Sequence, residues 1–148
     1  MALTSAEKDN LLKELTPHVD TDEKKLQAGL GAYTKLLTAH PEYISHFTKL
    51  EGLTLDNVFQ SEAIKYYATK LVDSLVAMLT ASADEVELKK LLDQSANYHT
   101  NRNVNKEEFM SGESIFIDYF QEILQDTENK AAIEKFFKHV FPSVAAAL

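Results

Sequence analysis

His40-Pro41-Glu42-Tyr43-Ile44-Ser45-His46-Phe47 is the stretch on which the fold turns. Pro41 has no amide hydrogen and a fixed φ, so it cannot extend a preceding helix, yet it suits the first turn of a new one. The helical pattern that runs up to His40 therefore stops there, and a short helix begins at Pro41. Phe47 closes that piece and leads into a polar loop, Thr48 to Asp56.

Upstream, Asp20 with Glu23 has the form of a capped helix start, and the apolar residues Leu26, Leu30, Tyr33 and Leu37 follow at the spacing of one helical face. Gly29 and Gly31 are poor helix formers inside that segment and predict the close approach of a crossing helix. Earlier still, Thr4 with Glu7 reads as a capping box before Leu11, Leu12 and Leu15, and Pro17 ends that helix. Downstream, a long helix is predicted from about Asn57 to Thr80, with its stripe at Ile64, Tyr67, Leu71, Leu75 and Met78. Asp84 can cap the next helix, which carries Leu88, Leu91, Leu92, Ser95 and His99. Asn105 with Glu108 starts one bearing Phe109, Phe116, Phe120 and Ile123. The last begins near Thr127 and buries Ile133, Phe136, Phe137, Val140 and Val144, with Pro142 predicted to kink or end it. No strand pattern, internal repeat or low-complexity linker interrupts the series. The expectation is an all-α chain of some seven helices, a single domain over residues 1–148.

A length of 148 residues suits one core. The formal net charge of −8 repels phosphate backbones and anionic lipid surfaces, which argues against nucleic-acid or membrane partners. The absence of Cys excludes disulfides, thiolate catalysis, zinc–thiolate sites and thioether-linked pigments. Met1 to Glu7 carries no secretory signal pattern. The most apolar internal run, Leu75 to Leu79, is far shorter than the ~20 residues of a membrane span. A cytoplasmic protein is expected, and a monomer, since no subunit interface is legible in the surface pattern.

Tyr33, Phe47, Tyr67 and His99 stand in a telling order. The run His40-Pro41-Glu42 followed by Phe47, then a long helix, then a histidine near a helix end, resembles the globin family. The resemblance covers essentially the whole chain. It implies the globin fold, six to eight helices packed around a pocket for haem b. It also implies that Phe47 packs flat on the haem and that His99, followed by Arg102 and Val104, is the proximal iron ligand. Tyr67 stands where most globins have a distal histidine, and Tyr33 faces the same pocket. With the stretches Leu30-Gly31-Ala32-Tyr33 and Glu108-Phe109-Met110-Ser111-Gly112-Glu113, that tyrosine pair resembles the trematode haemoglobins. Ser95 replaces the leucine common four residues before the proximal histidine. The change loosens packing under the haem but leaves the backbone carbonyl that would orient the imidazole.

The residues accord with those implications. A neutral imidazole on the inward Leu88-Leu92-Ser95 face can bind iron while its other nitrogen donates to a carbonyl one turn back. Buried tyrosine hydroxyls need a polar partner, and dioxygen would serve Tyr33 and Tyr67. Tyr66, rotated about 100° from Tyr67 around the helix, is expected to point elsewhere. Leu71 would wall the ligand pocket, Val104 and Phe109 would pack on the haem edge, and Lys70 and Arg102 are candidates to pair with the propionates. His18, His40, His46 and His139 read as surface or capping residues. The function implied is reversible dioxygen binding with high affinity and slow release, suited to scavenging or storage, and no residue is assigned a catalytic role. Two alternatives stand beside it. One is a haem-dependent peroxidase or nitric-oxide dioxygenase, disfavoured by the lack of a reductase domain and of a distal histidine. The other is a haem-free helical module.

Overall fold

Local capping chemistry starts most of the helices in the computed structural model, which describes residues 1–148. Helix α1 spans Ser5–Leu15, where the Thr4 hydroxyl accepts the Glu7 amide and the Glu7 carboxylate accepts the Thr4 amide. A 3₁₀ turn over Thr16–His18 follows, with Pro17 at its start. Helix α2 spans Asp22–Ala39. Its cap is Thr21, whose hydroxyl accepts the Lys24 amide at 3.1 Å, and not Asp20, which pairs with the Lys24 ammonium instead. Pro41 opens the expected short helix, a 3₁₀ turn over Pro41–His46.

Helix α3 spans Glu62–Thr80 under a Ser61 cap, five residues later than expected. Asn57 is spent elsewhere, accepting the Thr54 amide at 2.8 Å to close the loop, and Val58–Gln60 forms a separate 3₁₀ turn. Asp84 caps α4, Glu85–Thr100. The Asn105–Glu108 capping box opens α5, but the single helix expected beyond it is two: α5 over Lys106–Met110 and α6 over Glu113–Ile123. The Ser111 hydroxyl donates to the Glu108 carbonyl at 2.6 Å. That bond competes with helix propagation where Gly112 already weakens it. Helix α7 runs Thr127–Ala145 and continues past Pro142 instead of ending there. The lost amide hydrogen costs the helix a bond, and burial of Val144 and Ala145 in the last turn offsets it.

Helices α2 and α3 cross where Gly29 lies. A Cβ on Gly29 would overlap the Ala68 carbonyl, and one on Gly31 would overlap the Tyr119 hydroxyl of α6. Gly29 thus has the packing reason the sequence predicted, whereas Gly31 makes room for a side chain. The buried side chains form two clusters. The larger joins α1, Ala28 and Ala32 of α2, the later half of α3, α4, α6 and α7; the smaller gathers Tyr33, Leu37, Ile44, Leu50, Val58, Ile64, Tyr67 and Ala68. Leu36 and Leu71 pack against both clusters, and a cavity lies along that seam.

Candidate functional site

The cavity has a volume of about 470 Å³ and mostly apolar walls drawn from α2, α3, α4, α6, α7 and the Pro41–His46 turn. That is the size and character of a site for an organic ligand. All of Tyr33, Phe47, Tyr67, Lys70, Leu71, His99, Arg102, Val104 and Phe109 line it, whereas Tyr66 lies outside, half-exposed.

Two of the five histidines line the cavity, His46 and His99. His99 Nδ1 lies 2.7 Å from the Ser95 carbonyl oxygen. A carbonyl oxygen only accepts, so Nδ1 carries the hydrogen and Nε2 keeps a free lone pair. Burial lowers the His99 pKa, with Arg102 adding to the effect and the Ser95 bond opposing it. The ring is thereby held neutral. Phe109 packs edge-on against the imidazole at 4.8 Å between centroids, and the Val104 amide donates to the His99 carbonyl at 3.1 Å. His46 differs: both its nitrogens are engaged, Nδ1 with the Arg102 carbonyl at 3.0 Å and Nε2 with a Glu108 carboxylate oxygen at 2.7 Å. The sequence read His46 as a surface or capping residue. It is instead mostly buried, and because its partners lie 56 and 62 residues away no local pattern announced them.

Tyr33, Phe47 and Tyr67 form one aromatic group, with Phe47 5.5 Å from Tyr33 and 4.9 Å from Tyr67, both edge-on. The two hydroxyls are in different situations. Tyr67 accepts the Lys49 backbone amide at 3.1 Å, delivered by the 3₁₀ turn Thr48–Leu50. Tyr33 has no hydrogen-bond partner in the protein, and burial raises its pKa, so it remains a neutral phenol. At the cavity mouth the cations rest on aromatic faces. The Arg102 guanidinium sits 3.8 Å from the centre of Tyr98, 4.7 Å from Tyr67 and 5.3 Å from Phe47; Lys70 lies over Tyr98 at 4.5 Å. Neither Arg102 nor Lys70 pairs with a carboxylate of the chain. Tyr98 was missed from the sequence, although its place four residues before Arg102 on the end of α4 was a usable signal.

The globin family model matches residues 30–144. A globin of the trematode Isoparorchis hypselobagri is 45% identical over 149 residues, covering 100% of both chains. The chain is a globin. A second trematode relative, a globin of Dicrocoelium dendriticum, is 41% identical over 140 residues, covering 95% of this globin and 91% of that one. Among solved structures, ferric Aplysia limacina myoglobin superposes with a TM-score of 0.82 at 20% identity over 98% of each chain. A Drosophila melanogaster globin gives 0.79 at 16% identity over 96% of this chain and 93% of that one. At such identities these likenesses speak for the fold.

The cavity fits the haem that membership of this family implies. No group of three or more His, Asp or Glu side chains in this globin is arranged to hold a bare ion. His99, with its free Nε2, is the residue that would hold the metal of a group supplying its other ligands itself. The apolar walls suit a macrocycle, and the two carboxylate-free cations at the mouth suit its acidic edge.

Proposed function

We propose that this globin, as a single domain over residues 1–148, holds haem b and binds dioxygen reversibly, with high affinity and slow release. The observation that carries the reading is the pairing, in one apolar cavity, of one histidine nitrogen free to bind metal with two buried tyrosine hydroxyls. Haem, when bound, would supply the iron to which dioxygen binds reversibly. His99 holds the iron from one side, its ring angle fixed by the Ser95 carbonyl. Tyr33, without a partner of its own, donates to the ligand. Tyr67 has one lone pair committed to the Lys49 amide, which leaves its hydrogen to give. Phe47 backs the pigment, Leu71 walls the ligand space, and Val104 and Phe109 close its edge. Arg102 and Lys70, which pair with no carboxylate of the chain, would hold the propionates.

Each hydrogen bond contributes about 1–1.5 kcal/mol net, and more to a charged acceptor. Two such bonds in a dry pocket slow release by roughly a hundredfold. Slow release suits scavenging or storage by a monomer in the cytoplasm. No helix is long and apolar enough to cross a membrane, and the acidic surface suits neither nucleic acid nor an anionic membrane.

The test begins with the absorption spectrum of the purified protein, where a missing Soret band with no haem uptake would end the proposal. With haem present, oxygen dissociation is measured for Tyr33→Phe, Tyr67→Phe and the pair; Phe removes the hydroxyl and keeps the ring. Each single change should speed release about tenfold, with a much smaller effect on carbon monoxide. The double change should exceed the product of the singles, because one hydroxyl can turn to cover the loss of the other. Equal acceleration of both gases would mean the tyrosines act by bulk.

A further inference from the structure

The cavity wall carries two carboxylates, Asp73 and Glu108, and two permanent cations, Lys70 and Arg102. Both carboxylates are spoken for. Asp73, one turn after Lys70 on α3, is taken by Lys25 of α2 at 2.9 Å, and Glu108 by His46 at 2.7 Å. What holds the two cations is a single half-buried ring, Tyr98. The Arg102 guanidinium lies 3.8 Å from its centre and donates to its hydroxyl, and Lys70 Nζ lies 4.5 Å from the same centre. Lys70 comes from α3 and Arg102 from the turn after α4, so one side chain gathers charges from two walls of the cavity. Tyr98 stands four residues before Arg102, the spacing of neighbours on a helix. The Arg102 amide prolongs the turn by donating to the His99 carbonyl at 3.1 Å, and Asn103, at φ 62°, then leads the chain away.

An aromatic face holds a cation differently from a carboxylate. It attracts the charge without cancelling it. It also covers only the flat side of a guanidinium, whose N–H bonds all lie in the plane. Arg102 gives one of them to the Tyr98 hydroxyl and keeps the others free. Lys70 gives one N–H to the Tyr66 hydroxyl at 3.4 Å and likewise keeps the rest. Burial pushes the Tyr98 phenol up, against Arg102 and Lys70, so the ring brings no negative charge of its own.

We infer that Tyr98 is a positioning residue for the acidic edge of the pigment: it holds Lys70 and Arg102 at the mouth with their charges uncancelled and their donors free. Long side chains lose rotamer freedom when they pair. These two have already lost part of it against the ring, so a carboxylate that meets them does so at a smaller entropic cost and stays longer. The consequence is a preference for a porphyrin with free acid groups over its ester. The inference rests on the haem reading proposed above.

The experiment uses the full chain loaded either with haem or with haem dimethyl ester, which has the same ring and no charge on its edge. Loss of each pigment to an excess of a haem-scavenging apoprotein is timed for the wild type, Tyr98→Phe and Tyr98→Leu, and for Arg102→Leu with and without Tyr98→Leu. Tyr98→Gln, suited to a half-exposed helix position, serves as a second ringless variant should Leu disturb the fold. The ringless variants should lose haem about five- to tenfold faster, and Tyr98→Phe, which keeps the face, no more than about twofold faster. Loss of the ester should change by less than about twofold in all of them. Once Arg102→Leu is in place, Tyr98→Leu should add clearly less than it does alone, because one of the two charges it holds is gone. Equal acceleration of haem and ester, as packing beside His99 would give, overturns the inference. So does unchanged haem loss in the ringless variants, or a Tyr98→Phe as fast as Tyr98→Leu. A wild type without a Soret band fails the haem reading and this inference together, whereas a normal Soret band beside any of those outcomes fails this inference alone.

Discussion

The Ser95 oxygen, 2.7 Å from His99 Nδ1, decides which nitrogen of that ring is free. An orienting bond of this kind also makes the ring a better ligand, since the carbonyl draws on the Nδ1 hydrogen and enriches Nε2. Serine at position 95 changes nothing in this, because the bond uses only backbone. His99→Ala should therefore abolish or greatly weaken haem retention while leaving a helical protein, for His46 has both nitrogens spoken for and no other histidine lines the cavity. Soret absorbance and far-ultraviolet circular dichroism check the two halves of this expectation, and unchanged haem content would remove His99 from the role. At this scale the sequence was informative where a residue sat on a periodic face. His99, Tyr33 and Tyr67 lay on the apolar stripes of α4, α2 and α3 and proved to line one cavity. His46 lies in a 3₁₀ turn with no stripe to read, and its partners are ones that only folding brings near.

Among the elements, boundaries set by a single clear capping pair were legible, and those where neighbouring side chains compete for the role were not. The Thr4–Glu7 and Asn105–Glu108 boxes and the Asp84 cap are contained within three residues, and each stands where the spacing put it. The split between α5 and α6 and the continuation of α7 through Pro142 are set by competing side-chain bonds and by burial, which periodicity does not report. The α2–α3 crossing is the most constrained joint. At Gly29 the obstacle to a side chain is the Ala68 carbonyl, part of a helical backbone that cannot move alone; at Gly31 it is the far end of the Tyr119 side chain. Gly29→Ala should cost about 3 kcal/mol or more, and Gly31→Ala clearly less, as Tyr119 turns aside. Urea unfolding of the two variants measures the difference, and equal losses would show that the crossing is softer than its geometry implies.

Over the whole molecule, the buried apolar side chains fall into two clusters, and the cavity lies between them. Leu36 and Leu71 are the residues that touch both. A ligand filling the seam would tie the clusters together, so haem removal should lower the melting temperature well beyond the effect of any surface substitution. Binding to the native state alone stabilises it by mass action, about 4 kcal/mol at a thousandfold excess over Kd. Calorimetry of the protein before and after haem extraction decides the matter. Equal melting temperatures would mean that the clusters hold each other without help.

The bond from the Lys49 amide to the Tyr67 hydroxyl has a consequence for the electric field inside the cavity. A phenol bears one hydrogen, and a donor seated on its oxygen turns that hydrogen to the other side. The loop thus sets the sign of a dipole. With Tyr33 held uncharged by its burial, the proposed ligand space presents the positive ends of two O–H bonds and no negative charge of its own. Such a space selects for what a ligand becomes on binding. A molecule that gathers electrons is drawn in and held, while one that stays neutral gains less from the same donors. Selectivity among gases of nearly equal size then comes from polarity, fixed in part by a backbone amide whose own side chain takes no part in it.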